Sequence, residues 1–236
     1  MLHEETVEAG TLDLIKKLSA DHRLSDFVLV GGTALSLQIG HRKSIDIDLF
    51  TPHPFNPHAI ARHVEFTYRP TEMHVLGNTI NARVAGIKLD MMAHKYPWIK
   101  PIQETDGIRM ASIEDLAAMK LNAIVVDGSR LKDYVDIHYL LGLRSMNELT
   151  EAYVAKYPDT NQSIARNALL YHAEINFGID PKLLRQQFSW KEMVQRFKAA
   201  VAEPKKIFEY KQGPSRDLPK PGEKDHSQQI RKGRRR

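Results

Sequence analysis

The spacing of apolar positions changes character along the chain, and each change predicts an element. "TLDLIKKLSA" has helical spacing. "DFVLVGG" reads as a short buried strand that ends in a glycine turn, and "TALSLQIG" as a short helix closed by Gly40, a residue suited to the left-handed position after a helix. "SIDIDLF" alternates strictly, which is the period of a strand. That alternation predicts Ile45, Ile47 and Leu49 on the core face and Asp46 and Asp48 side by side on the other. "NPHAIARHV" opens a helix, with Asn56 as its cap and Pro57 at the first helical position. "EFTYRP", "TEMHVLG", "TINARVAG" and "IKLDMMAH" read as strands joined by Pro and Gly-Asn turns.

After Pro101 the period becomes helical. Ser112, with Asp115 three residues on, caps a helix through "IEDLAAMKLNAIVV". "SRLKDYVDIHYLLGL" is a second helix, and Ser145 with Glu148 forms a capping box for "MNELTEAYVAKY". "NQSIARNALLYHAEI" continues the series, and Asp180-Pro181 and Ser189 start two more helices. The pattern predicts an α/β domain over residues 1–110 and an all-helical domain over 111–203, with no internal repeat.

Composition narrows this picture. A chain of 236 residues holds one large domain or two small ones with a sizeable core. It has no cysteine, which excludes disulfides and thiol catalysis. No apolar run reaches membrane-spanning length, and "MLHEETVEAG" is acidic and lacks the basic and apolar regions of a signal peptide. Together these predict a cytoplasmic protein without a membrane partner. The net charge of +5 is unevenly placed. Residues 204–236 carry eleven Lys and Arg against four Asp and Glu, a net of +7; the rest carries 23 basic and 25 acidic side chains, a net of −2. This Pro- and Gly-rich tail lacks apolar periodicity and is expected to be disordered, serving either solubility or attraction of nucleic acid. The histidines show no zinc spacing: His53, His58 and His63 recur every five residues, which no helix face aligns.

The candidate chemistry lies in "VLVGGTALSLQIGHRKSIDIDLF". Adjacent carboxylates repel each other unless a cation lies between them, and oxygen ligands suit magnesium. Gly31 and Gly32 allow close approach of a ligand to the backbone, and N–H groups at the start of the following helix bind phosphate. A Gly-Gly after a strand is also an ordinary turn, and Asp-x-Asp is also the pattern of a solvated strand face.

In this order and spacing, "GGTAL" followed by "HRKSIDIDLF" resembles the nucleotidyltransferase superfamily, specifically the AbiEii-type toxins of toxin–antitoxin and abortive-infection systems. "GIKLDMMAHKYP" is similar to the family's strand with a third carboxylate, here Asp90; "LAAMKLNAI" to its lysine motif, here Lys120; and "SRLKDYVDIHYLL" to its last motif, with Asp133 and Asp136. The resemblance covers roughly residues 5–175 and leaves out the tail.

The resemblance implies an α+β fold: a nucleotidyltransferase core with a mixed sheet, then the helical domain. It implies an enzyme that moves a nucleoside monophosphate from an NTP to a hydroxyl and releases pyrophosphate. The implied acceptor is RNA, notably the 3′ end of tRNA, and the implied partner is a cognate antitoxin protein. Asp46, Asp48 and Asp90 are expected to hold magnesium or manganese, and these three with Lys120 and Asp133 to be catalytic. Gly31, Gly32, Thr33, Arg42, Ser44 and Lys120 are expected to bind the nucleotide. Where the wider superfamily has Gly-Ser, this chain has Gly32-Thr33, which keeps a hydroxyl for a phosphate. From the residues alone, Lys120 is equally a snorkelling helix lysine, Asp133 and Asp136 surface acids, and Arg42 a rim charge. A transferase acting on a small molecule or a protein hydroxyl, and a non-catalytic NTP-binding module, remain alternatives.

Overall fold

The paired aspartates lie at the centre of a seven-stranded mixed sheet. The structure is a computed structural model and describes residues 1–178, 181–186 and 188–209. The strands are β1 (Val28–Val30), β2 (Ile47–Thr51), β3 (Glu72–Leu76), β4 (Thr79–Val84), β5 (Ile87–Ala93), β6 (Gln103–Thr105) and β7 (Ile108–Met110), in the order β3-β4-β5-β2-β1-β7-β6. The β2–β5 and β1–β7 pairs are parallel and the others antiparallel. Around the sheet and beyond it lie α1 (Ala9–Ala20), α2 (Gly31–Ile39), α3 (Pro57–Tyr68), α4 (Ile113–Val126), α5 (Leu131–Leu140), α6 (Met146–Lys156), α7 (Gln162–Leu170) and α8 (Trp190–Ala202).

Most of the predicted elements form, and the exceptions have physical reasons. β2 begins at Ile47, so Asp46 stands just before it, and Ile45 is exposed rather than in the core. "EFTYRP" is not a strand, because α3 runs on to Tyr68. Its aromatic residues imitate a strand, but Ile60, Ala61, Val64 and Tyr68 fall on one helical face against the core. The β6–β7 hairpin was not predicted. It turns at Asp106-Gly107, both at positive φ, the Asp-Gly signature of a tight hairpin, but its strands are only three residues long. No helix starts at Pro181 among the described residues, and Asp180 lies outside them. The serine caps form: Ser145–Glu148 and Ser189–Glu192 are reciprocal capping boxes. Ser112 also caps its helix, but the Asp115 carboxylate turns to Lys156, 2.8 Å away in a fully buried pair.

Buried residues of the sheet and of the helices after Met110 form one continuous core. α4 is its hinge-pin, with Leu116, Ala117 and Leu121 buried between α2 and the later helices. The start of the predicted disordered tail is docked. The Pro204 carbonyl accepts from Asn147 N–H, Phe208 N–H donates to the Leu141 carbonyl, and the Phe208 ring rests on the core. The expectation for residues 210–236 lies outside the described residues. Among the described residues no helix is long and apolar enough to cross a membrane.

Candidate active site

The parallel pairing of β2 with β5 sets Asp48 directly opposite Asp90. Strand alternation buries Ile47, Leu49, Leu89 and Met91 on the other face, so both carboxylates are held on the open one. Asp46 joins them at the wall of a cavity of about 470 Å³. Burial pushes the Asp48 carboxyl up to about 6; Lys120 opposes this, and the charges of Asp90 and Asp46 add to it.

Above this wall β1 ends and α2 begins. Gly31 has φ +71°, and a side chain there would run into the Asp48 carboxylate; one at Gly32 would run into the Arg42 guanidinium. Gly31 is therefore required by its backbone and by close approach, and Gly32 by close approach to Arg42. No side chain caps α2, which leaves its first-turn N–H groups without a side-chain partner beside the cavity. Thr33 corrects an expectation. Its side chain is fully buried, its hydroxyl is within bonding distance of Ser44 Oγ and the Asp46 carbonyl, and the residue does not line the cavity. It ties the start of α2 to the approach of β2 and has no hydroxyl to spare for a phosphate.

The opposite wall is a buried ion network. Asp136 accepts from Arg42 Nε at 2.6 Å and Arg42 Nη2 at 3.0 Å, pairs with Lys120 Nζ at 2.7 Å, and lies 2.7 Å from His41 Nε2. Asp133 accepts from Lys120 Nζ at 2.8 Å and from Arg130 Nε and Nη2 at 2.8 and 3.1 Å. Both aspartates are fully buried, so neither is a surface acid; Arg42 is no rim charge and Lys120 does not snorkel to solvent. Burial alone would raise the Asp136 carboxyl, but Arg42 and Lys120 hold it well below the usual carboxylate range. Burial works against the Lys120 ammonium, yet Asp136 and Asp133 raise its pKa. His41 is pushed toward its neutral form by burial. Three cations thus face two carboxylates, leaving one net positive charge toward the cavity. Asp133, expected to be catalytic, has both oxygens taken by Lys120 and Arg130; it positions those two cations.

A glycine turn, a carboxylate strand pair and a buried lysine held by a helical acid pair converge on one cavity. The chain matches the family model described as nucleotidyl transferase AbiEii toxin, type IV TA system, over residues 13–70 and 63–206. The chain belongs to this family. An uncharacterized Aquifex aeolicus protein, aq_aa25, is similar to this AbiEii protein at 32% identity over 189 residues, covering 76% of this chain and 88% of the relative. A crystal structure of a Helicobacter pylori protein, assigned there as a nucleotidyltransferase, superposes with a TM-score of 0.52 at 19% identity, covering 83% of this chain and 95% of the other. That likeness supports the fold.

Of the residues expected in this AbiEii site, Gly32, Arg42, Ser44, Asp46, Asp48, Asp90, Lys120 and Asp133 line the cavity, together with the rim cations Arg130 and Lys132. Gly31 lies directly behind it, and Thr33 is turned away. Sequence reasoning missed three contributors. Lys88 pairs with Asp90 at 2.5 Å, and its place two residues earlier on the same strand face was a usable signal. Ser129 opens the stretch "SRLKDYVDIHYLL" but was assigned no role there. Asn176 gave no sequence signal, because an irregular segment brings it in, through its N–H to the Ser129 carbonyl.

Proposed function

We propose that this AbiEii nucleotidyltransferase transfers a nucleoside monophosphate from an NTP to a hydroxyl of RNA, with the 3′ end of tRNA the first candidate, as the toxin of a toxin–antitoxin pair. Such a toxin works in the cytoplasm and is held in check by a cognate antitoxin protein. The observation that carries the reading is one cavity with a carboxylate wall, Asp46, Asp48 and Asp90, facing a net-cationic wall of Lys120, Arg42 and Arg130. A triphosphate needs the second wall, and the cation that accompanies it needs the first.

The family implies a divalent metal, and the donor chemistry fits one. The wall offers only oxygen donors, and Asp48, raised to about 6 with Asp90 and Asp46 beside it, lacks a counter-charge of its own. Asp46, Asp48 and Asp90 would hold magnesium or manganese, which when bound supplies charge neutralisation and an acidified acceptor hydroxyl.

The chain's own residues do the rest. Asp133 and Asp136 take two of the three Lys120 hydrogens and leave the third for a phosphate oxygen. Lys120 thereby meets the charge that grows on the departing pyrophosphate without having to reorganise. Ser44 lines the cavity with its Oγ fixed 2.9 Å from Thr33 Oγ1, whose own hydrogen goes to the Asp46 carbonyl. Gly32 and the uncapped start of α2 offer backbone N–H groups to the phosphates. The attacking acceptor oxygen bonds to the α-phosphorus as the bond to the bridging oxygen breaks. Arg130, more than half exposed, and Lys132 stand at the rim where an RNA backbone enters.

The test is incubation with total tRNA and each α-labelled NTP in magnesium. The expected result is label on tRNA with release of pyrophosphate. Label on protein or on a small acceptor, with none on RNA, would transfer the proposal to the other hydroxyl classes. No pyrophosphate with any acceptor would leave a binding module.

A further inference from the structure

Both oxygens of Asp90 are already engaged by neighbouring side chains. Asn81 Nδ2, from the facing register position on β4, donates to Oδ1 at 2.8 Å, and Lys88 Nζ donates to Oδ2 at 2.5 Å. Asp46 and Asp48 form no ion pair among the described residues, and Asp90 forms one, with Lys88. The Lys88 ammonium is also within electrostatic reach of Asp48 and Asp46. Among the described residues no three acidic or histidine side chains converge closely enough to grip an ion. Asp90 is committed to Asn81 and Lys88 instead.

Lys88 differs from the cations across the cavity. Lys120 is locked between two buried aspartates, whereas the Lys88 side chain is 50% exposed on a flexible four-carbon stem. It is a movable charge on a wall of three carboxylates. We propose that Lys88 is a built-in placeholder for the divalent cation: it neutralises Asp90 while no ion is bound and gives up Oδ2 when the ion arrives. This lysine lowers the repulsion of the empty carboxylate wall and sets a threshold that the metal must exceed. It is a positioning residue, acting through Asp90. The inference rests on the proposed metal reading of Asp46, Asp48 and Asp90.

The experiment titrates the full chain with Mn²⁺ by calorimetry, without nucleotide, in the wild type and in K88M, K88Q and K88R. Removing the competing charge should tighten Mn²⁺ binding about five- to tenfold in K88M and K88Q, while K88R, which keeps the charge, stays within about twofold of the wild type. In EDTA, K88M should melt below the wild type, and saturating Mn²⁺ should close that gap. A merely structural lysine would lower the melting temperature with and without metal and would not tighten binding. Measurable wild-type binding that is unchanged or weaker in both K88M and K88Q would overturn the placeholder and leave the metal reading standing. Absence of binding in all four proteins would overturn the metal reading and this inference with it.

Discussion

Lys120 Nζ lies 2.7 Å from Asp136 Oδ2 in a site where the aspartate is wholly buried and the lysine almost so. Asp136 also holds the Arg42 guanidinium through two bonds, so one carboxylate fixes two cations distant in sequence, one from α4 and one from the loop after α2. The active-site charge therefore sits on a rigid joint between α4, α5 and the loop after α2. Asp136→Asn should lower stability by about 3–5 kcal/mol, because it leaves buried cations short of a counter-charge. Denaturant unfolding would measure it; a change below about 1 kcal/mol would show that the joint is not what holds these elements.

Lys120→Met should behave differently. Arg42 and Arg130 still pair with Asp136 and Asp133, so the network keeps partners for both acids. Transfer should fall by about a hundredfold or more through loss of charge stabilisation at the leaving group, a few kcal/mol of barrier. Single-turnover rates at saturating NTP would report it, and an unchanged rate would remove Lys120 from the chemistry.

Asp48 ties stability to pH. Its folded carboxyl, at about 6, lies above the ordinary 3.8, so the native state binds more protons between those values. Stability is therefore lost as pH rises through that window, and the full cost is present above pH 6. Asp48→Asn removes the cost. In EDTA it should melt above the wild type at pH 7.5, by about 1–2 kcal/mol once solvent screening at the cavity is allowed for, and near it below pH 4. The same variant should have no transferase activity. An equal melting shift at both pH values would show that ionisation of Asp48 is not the cause.

Gly31→Ala probes the turn. The substitution places a Cβ against the Asp48 carboxylate at a φ of +71°, so both the backbone and the carboxylate must shift. Activity should drop at least tenfold, with a loss of about 1–2 kcal/mol in stability. Gly10→Ala, in α1 where a Cβ meets nothing within 4 Å, is the control: it should leave activity unchanged and hold or slightly raise stability.

The sequence made the carboxylate wall legible in two ways: the alternation of "SIDIDLF" placed Asp46 and Asp48 together, and the family resemblance of "GIKLDMMAHKYP" pointed to Asp90. Burial of Asp133, Asp136 and Arg42 was not legible. Charged residues three apart on a helix look solvated until the partner arrives from elsewhere, and here Arg42 comes from 94 positions away. Lys88 shares a strand face with Asp90 two residues on, but a lysine on a half-exposed strand is ordinary and gives no sign of its partner. Asn176 follows no period at all. The fold was clearest where caps and periods agreed, as at Ser145 and Ser189, and failed where aromatic residues in α3 imitated a strand.

The last prediction concerns the tail, and the structure moves its boundary. Pro204 and Phe208 are bound to α6 and to the end of α5, so a truncation at Glu203 removes core contacts as well as charge. A truncation after Glu209 removes only residues 210–236, which carry nine Lys and Arg against three Asp and Glu, a net of +6. The shorter protein, ending at Glu203, should melt at a lower temperature; the one ending at Glu209 should not. If the tail attracts RNA, the protein ending at Glu209 should bind tRNA more weakly. Its salt dependence should also flatten, since each lost phosphate contact removes roughly one unit from the slope of log K against log salt. Transfer at saturating tRNA should survive, because every proposed active-site residue precedes Tyr210. Equal affinity and slope before and after removal of residues 210–236 would assign RNA binding to Arg130 and Lys132 at the cavity rim, and those two would become the residues to neutralise.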